Sequence, residues 1–272
     1  IGDCVSLRDQ IAWFEDKPLF GLRIGITRAE EQSEPEIKRA LELGAQPVLL
    51  PTIEIGPPAD WEPVDAAIAG LDEYQWLVFT SANGVNYFLN RLWETGYDAR
   101  KLAQLKIATI GPSTAEALQQ FHLRADLIPD QYRAEALAGA LKPLVQGQKL
   151  LWAGANRGRE VLQTELAEVS ATVDKIVVYE NHDVASWGSE SLELLESGEI
   201  DWIGLSSPSI ARNFSRLLTE DVRQHLGSRT RLVSISPVTT QAATDAGLQI
   251  DAEAEEYLWD GIFAAIQKHV SR

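Results

Sequence analysis

The sequence contains no methionine and a single cysteine, Cys4. One cysteine cannot build a disulfide framework or a cysteine-based zinc cluster, so a reducing, cytoplasmic compartment is the expectation. The missing methionine extends to Ile1, which points to a fragment or to a processed or recombinant product rather than a native start. No apolar run approaches the roughly 20 residues that cross a bilayer, and no charged-then-apolar leader opens the chain. Basic runs are absent too: 24 Lys and Arg stand against 40 Asp and Glu, for a formal net charge of -16. That balance argues against a duplex nucleic-acid surface, which needs a basic patch.

Several catalytic signatures are also missing. There is no G-x-x-x-x-G-K-[ST] phosphate loop, and no G-x-G-x-x-G follows the first strand pattern, so no nucleotide cofactor is expected. The four histidines, His122, His182, His225 and His269, have no metal-ligand spacing, and His122 and His225 fall on solvated faces of helical patterns. A G-x-S-x-G nucleophile elbow does not occur.

What is present is a turn used twice. FTSANGV at 79–85 and LSSPSIA at 205–211 each follow an apolar strand pattern that opens on tryptophan, Trp76 or Trp202. Each leads into apolar positions at helical spacing: Val85, Phe88, Leu89 and Leu92, then Ile210, Phe214, Leu217 and Leu218. A strand that ends in a small polar turn and a helix aims unpaired N–H groups and the positive end of a helix dipole above the turn, where an anion is the natural guest.

The repetition is regular. Ser207 minus Ser81 is 126, as are Trp202 minus Trp76 and Phe214 minus Phe88. Ile110, Pro112, Thr114, Ala117, Leu123 and Asp126 recur 125 later as Ile235, Pro237, Thr239, Ala242, Leu248 and Asp251, and Tyr132 recurs as Tyr257. RIGITRAEEQ from Arg23 falls opposite KLLWAGANRG from Lys149 by pattern. The chain reads as two copies of one domain-sized unit.

Strands are expected at 22–27, 106–110, 232–235 and 248–250, with a further one ending at 127–129. Helices are expected through Ile37, Ala40 and Leu41 (closed by Gly44), through Val64, Ile68 and Leu71, over 134–141, and through Leu258, Ile262, Phe263 and Ile266. Ser113 followed by Glu116 fits a capping box for a helix through Ala117, Leu118 and Phe121. Residues 1–21 stand apart as a tail or linker with a stripe at Leu7, Ile11 and Phe14. PVLLPTIEI at 47–55 and DKIVVYE at 174–180 are equivalent. They are either core strands of their own halves or two antiparallel strands that bridge interleaved domains. Strands alternating with helices throughout imply an α/β fold of doubly wound parallel sheets covered on both faces.

Ligands of such sheets sit at the carboxyl ends of the strands. Four polar turns occupy those ends: Thr80, Ser81, Ala82 and Asn83; Ser113 and Thr114 within GPST; Ser207 and Ser209 within SSPS; and Val238 and Thr239 within SPVT. In two facing domains they would line a cleft. Any one of them alone reads as an ordinary helix N-cap, and it is four at equivalent places that point to a ligand. Arg157 and Arg159, with Arg28 as counterpart, fit either a carboxylate clamp or a solvated basic turn. Tyr179, at the end of the second bridging pattern, is either a buried hydrogen-bonded tyrosine or a phenol that donates a proton in the cleft.

IGPSTAEAL at 110–118, FTSANGV, IVVYE at 176–180, SSPS and ISPVTTQAA at 235–243 together resemble uroporphyrinogen-III synthase, over about residues 22–268. Ser236 stands where that family usually has glycine. The resemblance implies two α/β domains, 22–50 with 182–272 and 54–177, joined by a two-stranded ribbon at 51–53 and 178–181. It implies a lyase that closes hydroxymethylbilane, a linear tetrapyrrole with eight carboxylates, with loss of water and inversion of ring D through a spiro intermediate, on the route to heme, sirohaem and cobalamin. Tyr179 would assist departure of the hydroxyl and Thr114 and Thr239 would bind substrate, with no cofactor, no nucleic acid and no membrane as partners. IGDCVSLRDQIAWFE followed by PLFG resembles the end of a uroporphyrinogen-III methyltransferase at its junction to the synthase, which implies that the chain is the synthase half of a bifunctional protein. A fused or associated methyltransferase and hydroxymethylbilane synthase are the expected protein partners. The rival readings are a two-lobed anionic solute-binding protein without catalysis and, with no nucleotide site to favour it, a nucleotide-sugar transferase.

Overall fold

The computed structural model describes residues 15–158 and 160–270. The expected stripe at Leu7, Ile11 and Phe14, and Arg159, lie outside the described residues. In chain order the elements are β1 (Arg23–Ile26), α1 (Glu34–Glu42), β2 (Gln46–Leu49), β3 (Ile53–Gly56), α2 (Glu62–Ala69), β4 (Trp76–Phe79), α3 (Ala82–Glu94), β5 (Lys106–Thr109), α4 (Pro112–Gln119) and α5 (Ala134–Leu141). They continue as β6 (Lys149–Ala155), α6 (Val161–Ala167), β7 (Thr172–Asp183), α7 (Ser189–Glu196), β8 (Trp202–Leu205), α8 (Pro208–Leu217), α9 (Glu220–His225), β9 (Arg231–Ser234), α10 (Pro237–Asp245), β10 (Ala252–Glu253) and α11 (Trp259–Val270).

Two compact units result: residues up to Glu54 together with those from His182 onward, and Ile55–Asn181. The first holds a sheet of order β10-β9-β8-β1-β2, every neighbouring pair parallel. Alternation along the strands sends Ile24, Ile26 and Trp202 to one face with Ile262 and Phe263 of α11. Ile203 and Leu205 go to the other face, with Leu195 of α7 and Phe214 of α8. Gly204 has no side chain because α11 lies against it: a Cβ there would sit 2.7 Å from the Trp259 ring.

The second unit holds a sheet of order β3-β7-β6-β4-β5, with β7-β6, β6-β4 and β4-β5 parallel. One face packs Trp76, Val78, Leu150 and Trp152 against Leu137 and Leu141 of α5 and Leu162 and Leu166 of α6. On the other, Phe79 meets Phe88 of α3 edge to face at 5.8 Å.

The duplication explains both strand orders. β6 starts 126 residues after β1, β7 after β2 and β8 after β4, while β9 starts 125 after β5. The run β7-β6-β4-β5 is therefore the counterpart of β2-β1-β8-β9, and each sheet combines strands from both copies. The repeated aspartates have a structural purpose. Asp126 accepts the Ile107 N–H at 2.7 Å, and Asp251 accepts the Leu232 N–H at 2.9 Å, at equivalent positions of β5 and β9.

Some expectations need correction. The 47–55 pattern is not one strand: β2 ends at Leu49, Pro51 follows without an N–H to give a ladder, and β3 joins the other sheet. Residues 174–180 lie inside the 12-residue β7. Only Leu127, through a single bridge to Ala108, remains of the strand expected at 127–129. Residues 248–250 are not a strand, and the edge is β10 instead. Leu258 precedes α11 and is 63% exposed. No capping box forms at Ser113, because Pro112 takes the first helical position and Gly111 is the N-cap.

Candidate functional site

In each unit two polar corners stand side by side at the carboxyl ends of paired strands, β4 with β5 and β8 with β9. Ser81 caps α3, its Oγ accepting the Gly84 N–H at 3.0 Å. Ser207 caps α8 by accepting from Ile210 N–H, and Ser236 caps α10 by accepting from Thr239 N–H. The fourth corner starts at Gly111 without a side-chain cap, so Ser236 supplies a hydroxyl that its counterpart lacks. None of the four corners carries a charged side chain.

The second unit brings Ser81 and Tyr179 together. The Tyr179 hydroxyl donates to Ser81 Oγ at 2.9 Å, and its ring stacks on Tyr87 at 5.9 Å between centroids and 22° between planes. With Gly84 N–H on one lone pair and the phenol on the other, Ser81 has its own O–H to donate. Tyr179 is 7% exposed, and burial pushes its pKa above the ordinary value, opposed in part by the bond to Ser81. The phenol therefore holds its proton at neutral pH. Thr80 accepts from Trp152 Nε1 at 3.1 Å, which ties the same corner to β6. Gly84 is required here, because a Cβ would lie 2.9 Å from the Ala153 carbonyl oxygen. Ala82 and Asn83 are half-buried in the first turn of α3, Thr114 is buried in α4, and Ser113 is exposed beside it.

In the first unit Ser207 and Ser209 hydroxyls meet at 3.0 Å, and Ser236 and Thr239 hydroxyls at 3.1 Å. Thr239 is fully buried, whereas Val238 is 69% exposed at the tip of its corner. Arg157 is exposed in the turn after β6. Its counterpart Arg28 is paired with Glu36 at 2.7 Å, a partner that no sequence pattern singles out. His225 is not on a solvated face: it is half-buried and its Nε2 lies 2.8 Å from the Glu196 carbonyl oxygen. Among the described residues no three metal-ligating side chains gather, and no helix is long and apolar enough to cross a membrane.

Fold and corners together define an internally duplicated α/β protein of two doubly wound units, with uncharged hydrogen-bonding corners at the strand ends. Residues 35–264 match the family model described as Uroporphyrinogen-III synthase HemD. The chain belongs to the uroporphyrinogen-III synthase family, and its role is in tetrapyrrole biosynthesis. It is 31% identical over 257 residues to the uroporphyrinogen-III synthase of Synechococcus elongatus, covering 93% of this chain and 97% of that protein. It is 31% identical over 215 residues to the porphyrin biosynthesis protein HemD of Ruminiclostridium josui, covering 79% of this chain and 43% of that protein. In fold it is similar to uroporphyrinogen-III synthetase from Helicobacter pylori, with a TM-score of 0.60 at 16% identity, covering 91% of this chain and 99% of that one.

Proposed function

We propose that this chain is a cyclising hydro-lyase that turns hydroxymethylbilane into uroporphyrinogen III. The hydroxyl leaves as water, an azafulvene cation forms, and a spiro-pyrrolenine intermediate lets ring D rejoin in the inverted sense. The observation that carries this reading is the Tyr179–Ser81 pair: a buried phenol that keeps its proton, bonded to a serine with a hydroxyl hydrogen left to give. Tyr179 passes its proton to the departing hydroxyl, and Ser81 then donates to the phenolate oxygen. The proton returns when ring closure releases one from the attacked pyrrole carbon.

Substrate binding is assigned to the corners, through Thr80, Ser81, Ala82, Asn83, Ser113 and Thr114 in the second unit and Ser207, Ser209, Val238 and Thr239 in the first, and to Arg157 in the turn after β6. Amide and hydroxyl donors suit a flexible polyacid, since they hydrogen-bond carboxylates without fixing a single ion pair. Because hydroxymethylbilane closes spontaneously to the unrearranged isomer, the protein contributes mainly conformational control. No cofactor takes part. A cytoplasmic setting suits the single cysteine. Hydroxymethylbilane synthase supplies the substrate, and a fused or associated uroporphyrinogen-III methyltransferase consumes the product. The Ruminiclostridium josui relative, of which the match covers 43%, supports a place for such a synthase within a longer chain. Incubation with hydroxymethylbilane and chromatographic separation of the oxidised products is the test. The rearranged isomer supports catalysis, whereas the unrearranged isomer alone supports a solute-binding protein.

A further inference from the structure

A second feature of the first unit lies where β1 and β8 pair as neighbours. The chain continues from β1 to β2 on one side of that junction and reaches β8 from elsewhere, so this is the switch point of the sheet, the place where doubly wound folds open a crevice. A cavity of about 420 Å³ is there, bordered by Arg28 after β1, Glu36 of α1, Ser206 and Ser207 after β8, and Tyr257 and Trp259 at the start of α11. Its volume falls within the usual range for small-ligand sites.

The chemistry of the lining is specific. Glu36 keeps 6% of its side-chain exposure and holds the Arg28 guanidinium through one bond, Nη1 to Oε1 at 2.7 Å. Arg28 itself is 37% exposed, and its Nε and Nη2 have no hydrogen bond among the described residues. Two polar atoms of residues that border the cavity are buried without a hydrogen-bond partner among the described residues: Glu36 Oε2, an acceptor, and Trp259 Nε1, a donor. Both residues are more than nine-tenths buried, at 5% and 8% exposure. Orphans of opposite kind at one cavity are costly unless something supplies both an acceptor and a donor. Tyr257, 64% exposed, adds an aromatic face at the rim.

We propose that this cavity is a subsite for one carboxylated pyrrole ring of the substrate. It rests on the synthase reading and adds Arg28 as a carboxylate-binding residue, with Glu36 as the positioning residue that holds its guanidinium. A carboxylate takes the open edge of Arg28 and the indole N–H of Trp259, the ring N–H goes to Glu36 Oε2, and the phenol ring of Tyr257 covers the ring face. A carboxylated pyrrole supplies both groups, whereas a fully deprotonated inorganic anion would leave the Glu36 acceptor unmet and a simple cation would leave the indole donor unmet.

The test uses the full chain in two measurements. The first is the steady-state rate of uroporphyrinogen III formation from hydroxymethylbilane by wild type, Arg28→Gln, Arg28→Lys and Glu36→Gln, with melting curves as a folding control. Losing a charged hydrogen bond to substrate raises KM about tenfold or more in Arg28→Gln with kcat within about twofold. Arg28→Lys recovers part of that loss, since it keeps the charge without the fork. Glu36→Gln raises KM less than Arg28→Gln. The second is calorimetric titration with porphobilinogen, a single pyrrole bearing acetate and propionate, which needs no turnover. Wild type binds it and Arg28→Gln binds it about tenfold more weakly. If wild type produces the rearranged isomer but KM is unchanged in Arg28→Gln, the inference is overturned while the synthase reading stands. If wild type produces only the unrearranged isomer, the synthase reading falls, and the titration still decides the subsite: equal porphobilinogen affinities, or none, overturn it.

Discussion

Tyr179 is where a single atom matters most. Its hydroxyl reaches Ser81 at 2.9 Å while its ring is held by stacking on Tyr87, so Tyr179→Phe removes the proton donor and leaves the packing. Turnover to the rearranged isomer is expected to fall by about 100-fold, the scale of a lost general acid, with KM little changed. Stopped-flow or quench assays with isomer separation would read this, and wild-type turnover in the variant would contradict the role. Linkage gives an independent check. Burial raises the phenol pKa in the folded state, so the stability from burying it is fully present below the unfolded value of about 10 and is lost as pH rises through the folded value. Melting temperature should therefore drop between pH 9 and 11 more steeply in wild type than in Tyr179→Phe. The tyrosine was legible in the sequence as a candidate, but its bond to Ser81 was not, because the two are 98 residues apart. Glu36 was not legible at all: on a helix face rich in acids it reads as solvated, and only the folded unit buries it, beside residues as distant in sequence as Ser206 and Trp259 at the cavity.

Helix starts set the geometry of the corners, and their hydroxyls have two possible duties. Ser207→Ala loses the cap of α8 and is expected to cost about 0.5–2 kcal/mol in denaturant unfolding, whereas Ser207→Gly costs only a few tenths. A several-fold rise in KM in Ser207→Gly at near-wild-type stability would then report substrate binding. An unchanged KM would leave Ser207 as a cap alone. Gly84 tests the seat of α3. Alanine would gain helix propensity but put a methyl 2.9 Å from the Ala153 carbonyl oxygen, so α3 must shift off β6, at an expected net cost of about 1–3 kcal/mol. Sequence patterning found α5 over Ala134–Leu141 and the apolar stripes of α3 and α8, because those helices bury one face each. It missed α7 and α9, which are short and mostly polar, and it missed the split of β2 from β3, which depends on which sheet accepts each segment. The repeat spacing, by contrast, anticipated that β4 and β8 are equivalent, since both carry tryptophan first and a serine cap after.

At the scale of the whole chain, a net charge of -16 meets a substrate with many carboxylates. Long-range repulsion opposes encounter and short-range donors must overcome it. Raising ionic strength from about 0.01 M to 0.15 M shortens the screening length from about 30 Å to 8 Å, and is expected to lower KM rather than raise it. A KM that rises with salt would point to recognition dominated by cationic side chains. Interleaving of the repeat copies also makes each sheet depend on strands from both halves of the sequence, so cutting the chain between β5 and β6 removes two strands from either sheet. The central claim is that the folded chain chooses which way ring D rejoins. Its most direct test is the fraction of rearranged product formed from hydroxymethylbilane as protein concentration is raised against the constant rate of spontaneous closure. The account predicts a fraction that climbs from zero toward complete rearrangement; a product that stays the unrearranged isomer at every concentration would contradict it.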